Sequence, residues 1–248
     1  MGFYFCLMQT EKLLVIPDLH GNSFWKELVS EKNYRKIIFL GDYFDSRNFN
    51  IGIEDEIRNF VEILLFKDKN PSSVELLCGN HDLHYLRGIF SKSSGYQFEH
   101  SEKIENILQP LFDEKVLKIC YYDRVSDTLF SHAGISKKWL QNQQIQFSRK
   151  AFAKHSDSVE FDVEFISNQI NLLFHKNPQE FEYQEDEDDD GSGESAFQGP
   201  CWIRPYSLLR NILPVSQVVG HTQQKEITKI KNVWFTDTFN CGSGFLEL

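Results

Sequence analysis

The sequence predicts an α/β fold, and three observations carry that prediction. Short continuous apolar runs at 13–16, 36–40 and 74–78 have the pattern of strands covered on both faces. Stretches with helical periodicity alternate with them. Each run then ends in carboxylates, imidazoles or amides, and the carboxyl ends of strands are where open α/β sheets bind ligands. At 248 residues the chain suffices for one large domain carrying one sizeable insertion. We therefore expect a single domain over 1–248, with a helical and acidic insertion at 136–199 forming a cap or wall.

Leu13-Leu14-Val15-Ile16 is the first strand and runs into Pro17-Asp18-Leu19-His20-Gly21. Asn22 or Ser23 then caps a helix carrying Trp25, Leu28 and Val29. The second strand, 36–40, ends at Gly41-Asp42-Tyr43-Phe44-Asp45. After a polar loop through Arg47 comes the clearest helix, with Ile57, Phe60, Val61, Leu64 and Leu65 at i, i+3, i+4, i+7 and i+8. Glu54, Asp55 and Glu56 suit its positive end, and Asn70-Pro71 stops it. The third strand, 74–78, leads into Gly79-Asn80-His81-Asp82, and His84-Tyr85-Leu86 starts a further helix. A helix at 102–112 precedes two strands, 116–122 and 128–130, the second ending at His132. Residues 136–175 read as helical, with Phe161, Phe165, Ile166, Ile170, Leu172 and Leu173 as the buried stripe. Two last strands, 217–219 and 233–235, end at Gly220-His221 and Thr236-Asp237.

Composition excludes several classes. The net charge of −10 belongs to one segment: nine acidic residues lie between Glu180 and Glu194, and without them 27 acidic residues face 26 basic ones. The tract at 185–190 reads as a solvated, mobile loop. Nothing resembles the basic footprint of a duplex nucleic-acid binder. Five scattered cysteines without a C-x-x-C pair read as reduced thiols of a cytoplasmic protein. No run approaches the ~18 apolar residues of a membrane span.

The strand-end groups are mixed oxygen and nitrogen donors: Asp18, His20, Asp42, Asp45, Asn80, His81, Asp82, His132 and His221. Such a set suits Mn, Fe or Zn better than the oxygen cages of Ca or Mg. There are too many for one ion and about the right number for two, if one carboxylate bridges. In sequence order, Asp18/His20, Gly41-Asp42/Asp45, Gly79 to Asp82, His132 and Gly220-His221 resemble the D-x-H, G-D-x-x-D, G-N-H-D, His and G-H signatures of the calcineurin-like metallophosphoesterases. The resemblance runs from position 18 to 221. It implies two mixed β-sheets packed as a sandwich flanked by helices, in four α/β/β/α layers. It also implies Asp18 and His20 on a first metal, Asp42 bridging, and Asn80, His132 and His221 on a second, with manganese the leading metal and Fe or Zn alternatives.

That pair of cations implies hydrolysis of phosphomonoesters by a hydroxide held between them. His81 would protonate the leaving group, with Asp45 holding its ring; the plain alternative for Asp45 is a turn cap. Asp82 reads as a carboxylate orienting ligands. Many members carry G-H-x-H, but position 223 is Gln, as in the protein Ser/Thr phosphatase branch, whose phage lambda-type members Asp18-Leu19-His20-Gly21 resembles. That branch places Arg-Gly directly after G-D-x-x-D, whereas here Arg47 stands one residue late, as a phosphate ligand or a solvated loop residue. Arg204, beside Trp202, is the better phosphate clamp, or a structural ion pair. Gly79 to His84 and His132 to Ile135 also resemble the diadenosine tetraphosphate hydrolases, which makes His84 a possible site residue and that activity the alternative. Asp237, just after a strand, reads as a turn residue, with a carboxylate supporting His221 as the alternative. A scaffold of the same fold that only binds partners is a third reading, against which all six ligand positions speak. The expected substrate is a phosphorylated protein or a small phosphoester or nucleotide.

Overall fold

The computed structural model describes residues 12–147, 161–184, 195–238 and 244–248. Two five-stranded mixed sheets form its centre. In the first, β1 (Leu13–Ile16), β2 (Lys36–Phe39), β3 (Val74–Leu77) and β4 (Leu117–Lys118) run parallel in the order β10-β1-β2-β3-β4. The antiparallel edge strand β10 is Leu246–Glu247. The second sheet has the order β5-β6-β7-β9-β8. Its parallel centre is β6 (Thr128–Ser131), β7 (Ser216–Val219) and β9 (Val233–Phe235), between antiparallel β5 (Cys120–Asp123) and β8 (Thr228–Ile230).

Strand alternation decides what each face meets. Leu13, Val15, Ile38, Leu40 and Leu77 from the first sheet pack with Phe130 and Val218 from the second, which makes the sheets a sandwich. The opposite face, Leu14, Ile16, Phe39 and Leu76, packs with α1 (Trp25–Glu31), α2 (Ile53–Lys69) and α4 (Ser101–Asp113) through Trp25, Phe60, Ile63 and Leu108. Val219, Val233 and Phe235 on the far side of the second sheet pack against Leu208 of α7 (Pro205–Arg210). No helix among the described residues is long and apolar enough to cross a membrane.

Several local expectations need correction. Asn22 does not cap α1 at its second or third turn position; its Oδ1 accepts the Phe24 N–H, one residue before the helix. In α2 the buried stripe is Ile57, Phe60 and Ile63, whereas Val61 and Leu65 face solvent, because Glu56 and Asn59 turn inward to bond the site loops. The short helix after β3 is α3 (Asn80–Leu83), so His84 to Leu86 follow a helix rather than begin one. The run 116–122 is two strands: β4 finishes the first sheet and, after Ile119, β5 begins the second. Strands β8 and β10 carry no clear apolar signal in the sequence.

Within 136–199, α5 (Lys137–Asn142) and α6 (Val163–Lys176) send Trp139, Leu140, Ile166, Ile170 and Phe174 into the core. Leu172 is 63% exposed, so the stripe runs through Phe174 instead. The acidic tract 185–190 lies outside the described residues, as do Cys6 and Cys241. Cys78, Cys120 and Cys201 are free and buried.

A part-buried ion pair staples the sheets. Arg35, just before β2, donates through both terminal nitrogens to Asp123 at the end of β5, each at 2.8 Å. Burial pushes the Asp123 carboxyl up, but Arg35 and the Ser126 N–H and hydroxyl outweigh it and hold the pKa at about 2. A carboxyl depressed on folding contributes stability above its ordinary value of 3.8, and that contribution is lost as pH falls through about 2. Asp123→Asn should cost about 2 kcal/mol at neutral pH. In urea melts, the gap between wild type and variant should close between about pH 4 and pH 2.

Candidate metal centre

The loops after β1, β2, β3, β6 and β7 meet at one end of the sandwich, with the start of the loop after β9 beside them. Backbone bonds join them: Leu19 and His20 N–H groups donate to Asp42 O, and Gly220 N–H donates to His132 O. The two sheets are tied at the site itself, because the His221 N–H donates to the Asp18 carboxylate at 3.0 Å. His20, Asp42, Asp45 and His221 all hold left-handed φ values, between 44° and 64°. Non-glycine residues take that conformation at a cost, and a cluster of them at strand ends is a feature of functional sites.

Two donor groups result. Ligand atoms of Asp18, His20 and Asp42 all lie within 4.8 Å of one another. His20 Nδ1 donates to Phe44 O at 2.7 Å, which leaves the Nε2 lone pair facing Asp42 Oδ2 at 3.6 Å. In the second group, His132 Nδ1 donates to Leu40 O at 3.1 Å, so its Nε2 is again a bare lone pair. That Nε2 lies 3.0 Å from Asn80 Oδ1, 3.2 Å from His221 Nδ1 and 3.5 Å from Asp42 Oδ2. Burial lowers the pKa of both histidines, so both stay neutral. The His132 lone pair, Asn80 Oδ1 and Asp42 Oδ2 are three acceptors with one imidazole N–H, on His221 Nδ1, to share between the first two, a donor-poor cluster that suits a cation. The residues present therefore fit a divalent metal in each group, with Asp42 common to both.

The carboxylates point the same way. Burial, then the charges of Asp237 and Asp42, raise the pKa of Asp18 well above the ordinary range. Burial pushes Asp42 up as well, but His132, His81 and His20 hold it below the usual value. Asp82 is the organiser beneath. Its Oδ2 accepts the N–H groups of Asp42 (2.7 Å) and Gly79 (2.9 Å), and its Oδ1 accepts that of Tyr43 (2.8 Å).

His81 lies beside both groups. Its N–H donates to Asp42 Oδ1 at 2.9 Å, and its Nδ1 is 2.9 Å from Asp45 Oδ2. Burial lowers its pKa, yet the Asp42 and Asp45 carboxylates outweigh that and raise it, which favours imidazolium. With Nδ1 on Asp45, Nε2 is left to the cleft that His81 lines.

That cleft, about 280 Å³, is lined by Asp18, His20, Asp42, Asn80, His81 and His221, with Arg47 and Arg204 at its walls. Arg204 donates to Thr222 Oγ1 at 3.2 Å and makes no salt bridge among the described residues, whereas exposed Arg47 donates to Ser94 Oγ at 3.3 Å. Trp202 is half-buried and stands edge-on to His221 and to Tyr183 of the insertion. Asp237 is no turn residue: it is 8% exposed and lines the cleft. The strand register could have placed it, since β7 and β9 are parallel with Val219 opposite Phe235, which sets Asp237 level with His221. Tyr85 also escaped the sequence reading, although its hydroxyl donates to Asp45 Oδ1 at 2.5 Å.

A family model described as calcineurin-like phosphoesterase matches residues 11–224. Among solved structures the chain is similar to a cold-active protein-tyrosine phosphatase of a psychrophilic Shewanella species, at 19% identity and a TM-score of 0.54, over 96% of this chain and 75% of that one. It is also similar to a protein serine/threonine phosphatase from Saccharomyces cerevisiae, at 14% identity and a TM-score of 0.53, over 92% and 67% of the two chains. At such identities the likeness is one of fold. No curated protein matches by sequence.

Proposed function

Because the chain belongs to the calcineurin-like phosphoesterase family, metal-dependent hydrolases of phosphate esters, we propose that it is a phosphomonoesterase of the protein Ser/Thr phosphatase type with a two-metal site. The observation that carries this reading is the pair of donor groups sharing Asp42 beside the His81–Asp45 contact. Asp18, His20 and Asp42 would hold one divalent cation, and Asp42, Asn80, His132 and His221 the other. Manganese is the proposed metal, with Fe or Zn as alternatives. Bound there, the cations supply a water of lowered pKa and neutralise charge on the phosphoryl oxygens.

The protein's own groups do the rest. Leu40 and Phe44 carbonyls fix the tautomers of His132 and His20, so that each ring presents a lone pair. Arg204, held by Thr222, and Arg47 flank the cleft where the phosphoryl group would bind. His81 carries the proton for the departing oxygen at Nε2, and Asp45 keeps the opposite nitrogen protonated. Gln223 at the cleft, where many members have histidine, supports the Ser/Thr phosphatase branch. We assign the chain a cytoplasmic location and treat 136–199 as the segment that shapes the outer cleft, through Tyr183 against Trp202.

The test is product analysis with Mn added. Purified protein should release phosphate from a phosphoserine peptide, and EDTA should abolish the release. Chromatography of a parallel reaction with diadenosine tetraphosphate should show at least about tenfold slower turnover. Faster cleavage of the dinucleotide would replace the monoesterase reading with a polyphosphate hydrolase. No metal-dependent release from any substrate would leave a binding scaffold.

A further inference from the structure

His81 aims at the cleft only as well as Asp45 holds it, and Asp45 is held by more than His81. Its Oδ2 is 2.9 Å from His81 Nδ1 and 2.8 Å from His84 Nε2, while its Oδ1 accepts the Tyr85 hydroxyl. His84 is 1% exposed, deeper than His81 at 7%. The proton on its ring has one place to be. Nδ1 accepts the Ser93 N–H at 3.0 Å, so in the neutral ring the proton is on Nε2. Burial lowers the pKa of His84 and keeps it neutral. The Nε2 contact to Asp45 is off-axis but short, and Nε2 has no other partner among the described residues. Tyr85 and Tyr96 stand edge-on to the ring at 4.3 Å and 4.9 Å, so it is boxed in place.

A carboxylate with one donor turns about its Cβ–Cγ bond, and the imidazole resting on it turns too. Tyr85 on Oδ1 and His81 on Oδ2 give Asp45 one donor on each oxygen, and His84 adds a second contact to Oδ2, the oxygen on which His81 rests. We propose that His84 is a positioning residue for proton delivery: its Nε2–H holds Asp45 Oδ2, and so fixes the direction in which His81 Nε2 enters the cleft. The inference rests on the proposed role of His81. The plainer alternative is a core histidine that only anchors the 92–94 loop through Ser93.

Two substitutions separate these roles. His84→Gln keeps an N–H that reaches toward Asp45 but gives up the Ser93 acceptor. His84→Asn keeps an acceptor near the Nδ1 position and gives up the reach. Kinetics with p-nitrophenyl phosphate, whose leaving group needs little protonation, and with phenyl phosphate, whose leaving group needs more, read out proton delivery directly. We expect His84→Asn to raise the ratio of kcat on the first substrate to kcat on the second by about tenfold, with KM within about twofold. Bound manganese, measured by elemental analysis, should not change. His84→Gln should return the ratio to within about threefold of wild type. Tyr85→Phe, a milder change on the other oxygen, should move the ratio in the direction of His84→Asn. If Asn and Gln depress both substrates alike and Tyr85→Phe leaves the ratio unmoved, His84 is an anchor and the inference is overturned, with His81 untouched. If His81→Ala leaves the ratio at the wild-type value, the assignment of His81 falls and this inference falls with it.

Discussion

Asp42→Asn should lower turnover of p-nitrophenyl phosphate by more than about 10³-fold and halve, at least, the manganese bound per chain. The size follows from the carboxylate's position. Its Oδ2 lies 3.6 Å from His20 Nε2 and 3.5 Å from His132 Nε2, so it faces both donor groups, and its Oδ1 accepts the His81 N–H. An amide offers one neutral oxygen where a charged, two-sided ligand stood. Melting in manganese should show Asp42→Asn further below the wild-type temperature than melting in EDTA does, because only the first includes the lost metal binding. Equal manganese stoichiometry by titration calorimetry in the two proteins would contradict the shared-ligand assignment.

Much of this site was legible because strand ends are easy to read. An apolar run of four residues followed by Asp18 or Asp42 fixes which atoms leave the sheet and in which direction, without knowledge of the partner strands. Convergence was not legible from any one stretch. His132 and His221 follow strands of the second sheet, and the chain enters that sheet at Cys120, inside what reads as one strand. Only the ordered series of motifs implied that the two sheets meet there. Helix α2 shows the opposite failure. Its apolar spacing suggested a stripe through Val61 and Leu65, but Glu56 takes an inward position to accept the Asp45 and Ser46 N–H groups, and the buried face rotates to Ile63. Polar residues that serve the site look, in sequence, like solvent-facing ones. Asp237 was misread for the same reason, since no glycine or second histidine marks it, and only strand register sets it level with His221.

The glycines of the site are there for contact, which makes them a sharper probe than the ligands. Gly79 has φ −94° and ψ 179°, extended backbone that alanine adopts freely, so substitution carries no conformational penalty. A Cβ there would nevertheless sit 2.1 Å from Asp42 Oδ1 and 2.7 Å from Asp42 N. At Gly220 a Cβ would sit 2.1 Å from Asp18 Oδ1. Neither carboxylate has room to retreat: Asp42 is pinned through its own N–H on Asp82, and Asp18 through the His221 N–H. Gly79→Ala and Gly220→Ala should each cost about 1–3 kcal/mol of stability, the ordinary range for overpacking. The cost to function should be larger, about 10² to 10³ in kcat/KM, because a shift near 1 Å in a ligand spoils both metal geometry and substrate alignment. The two should differ in metal binding. Gly79→Ala displaces Asp42, the proposed common ligand, and should weaken manganese binding at both proposed sites. Gly220→Ala presses on Asp18 alone, so calorimetry should find one site weakened and the other near wild type. Two variants with intact manganese affinity and wild-type turnover would mean that neither Asp18 nor Asp42 binds metal from the positions seen here.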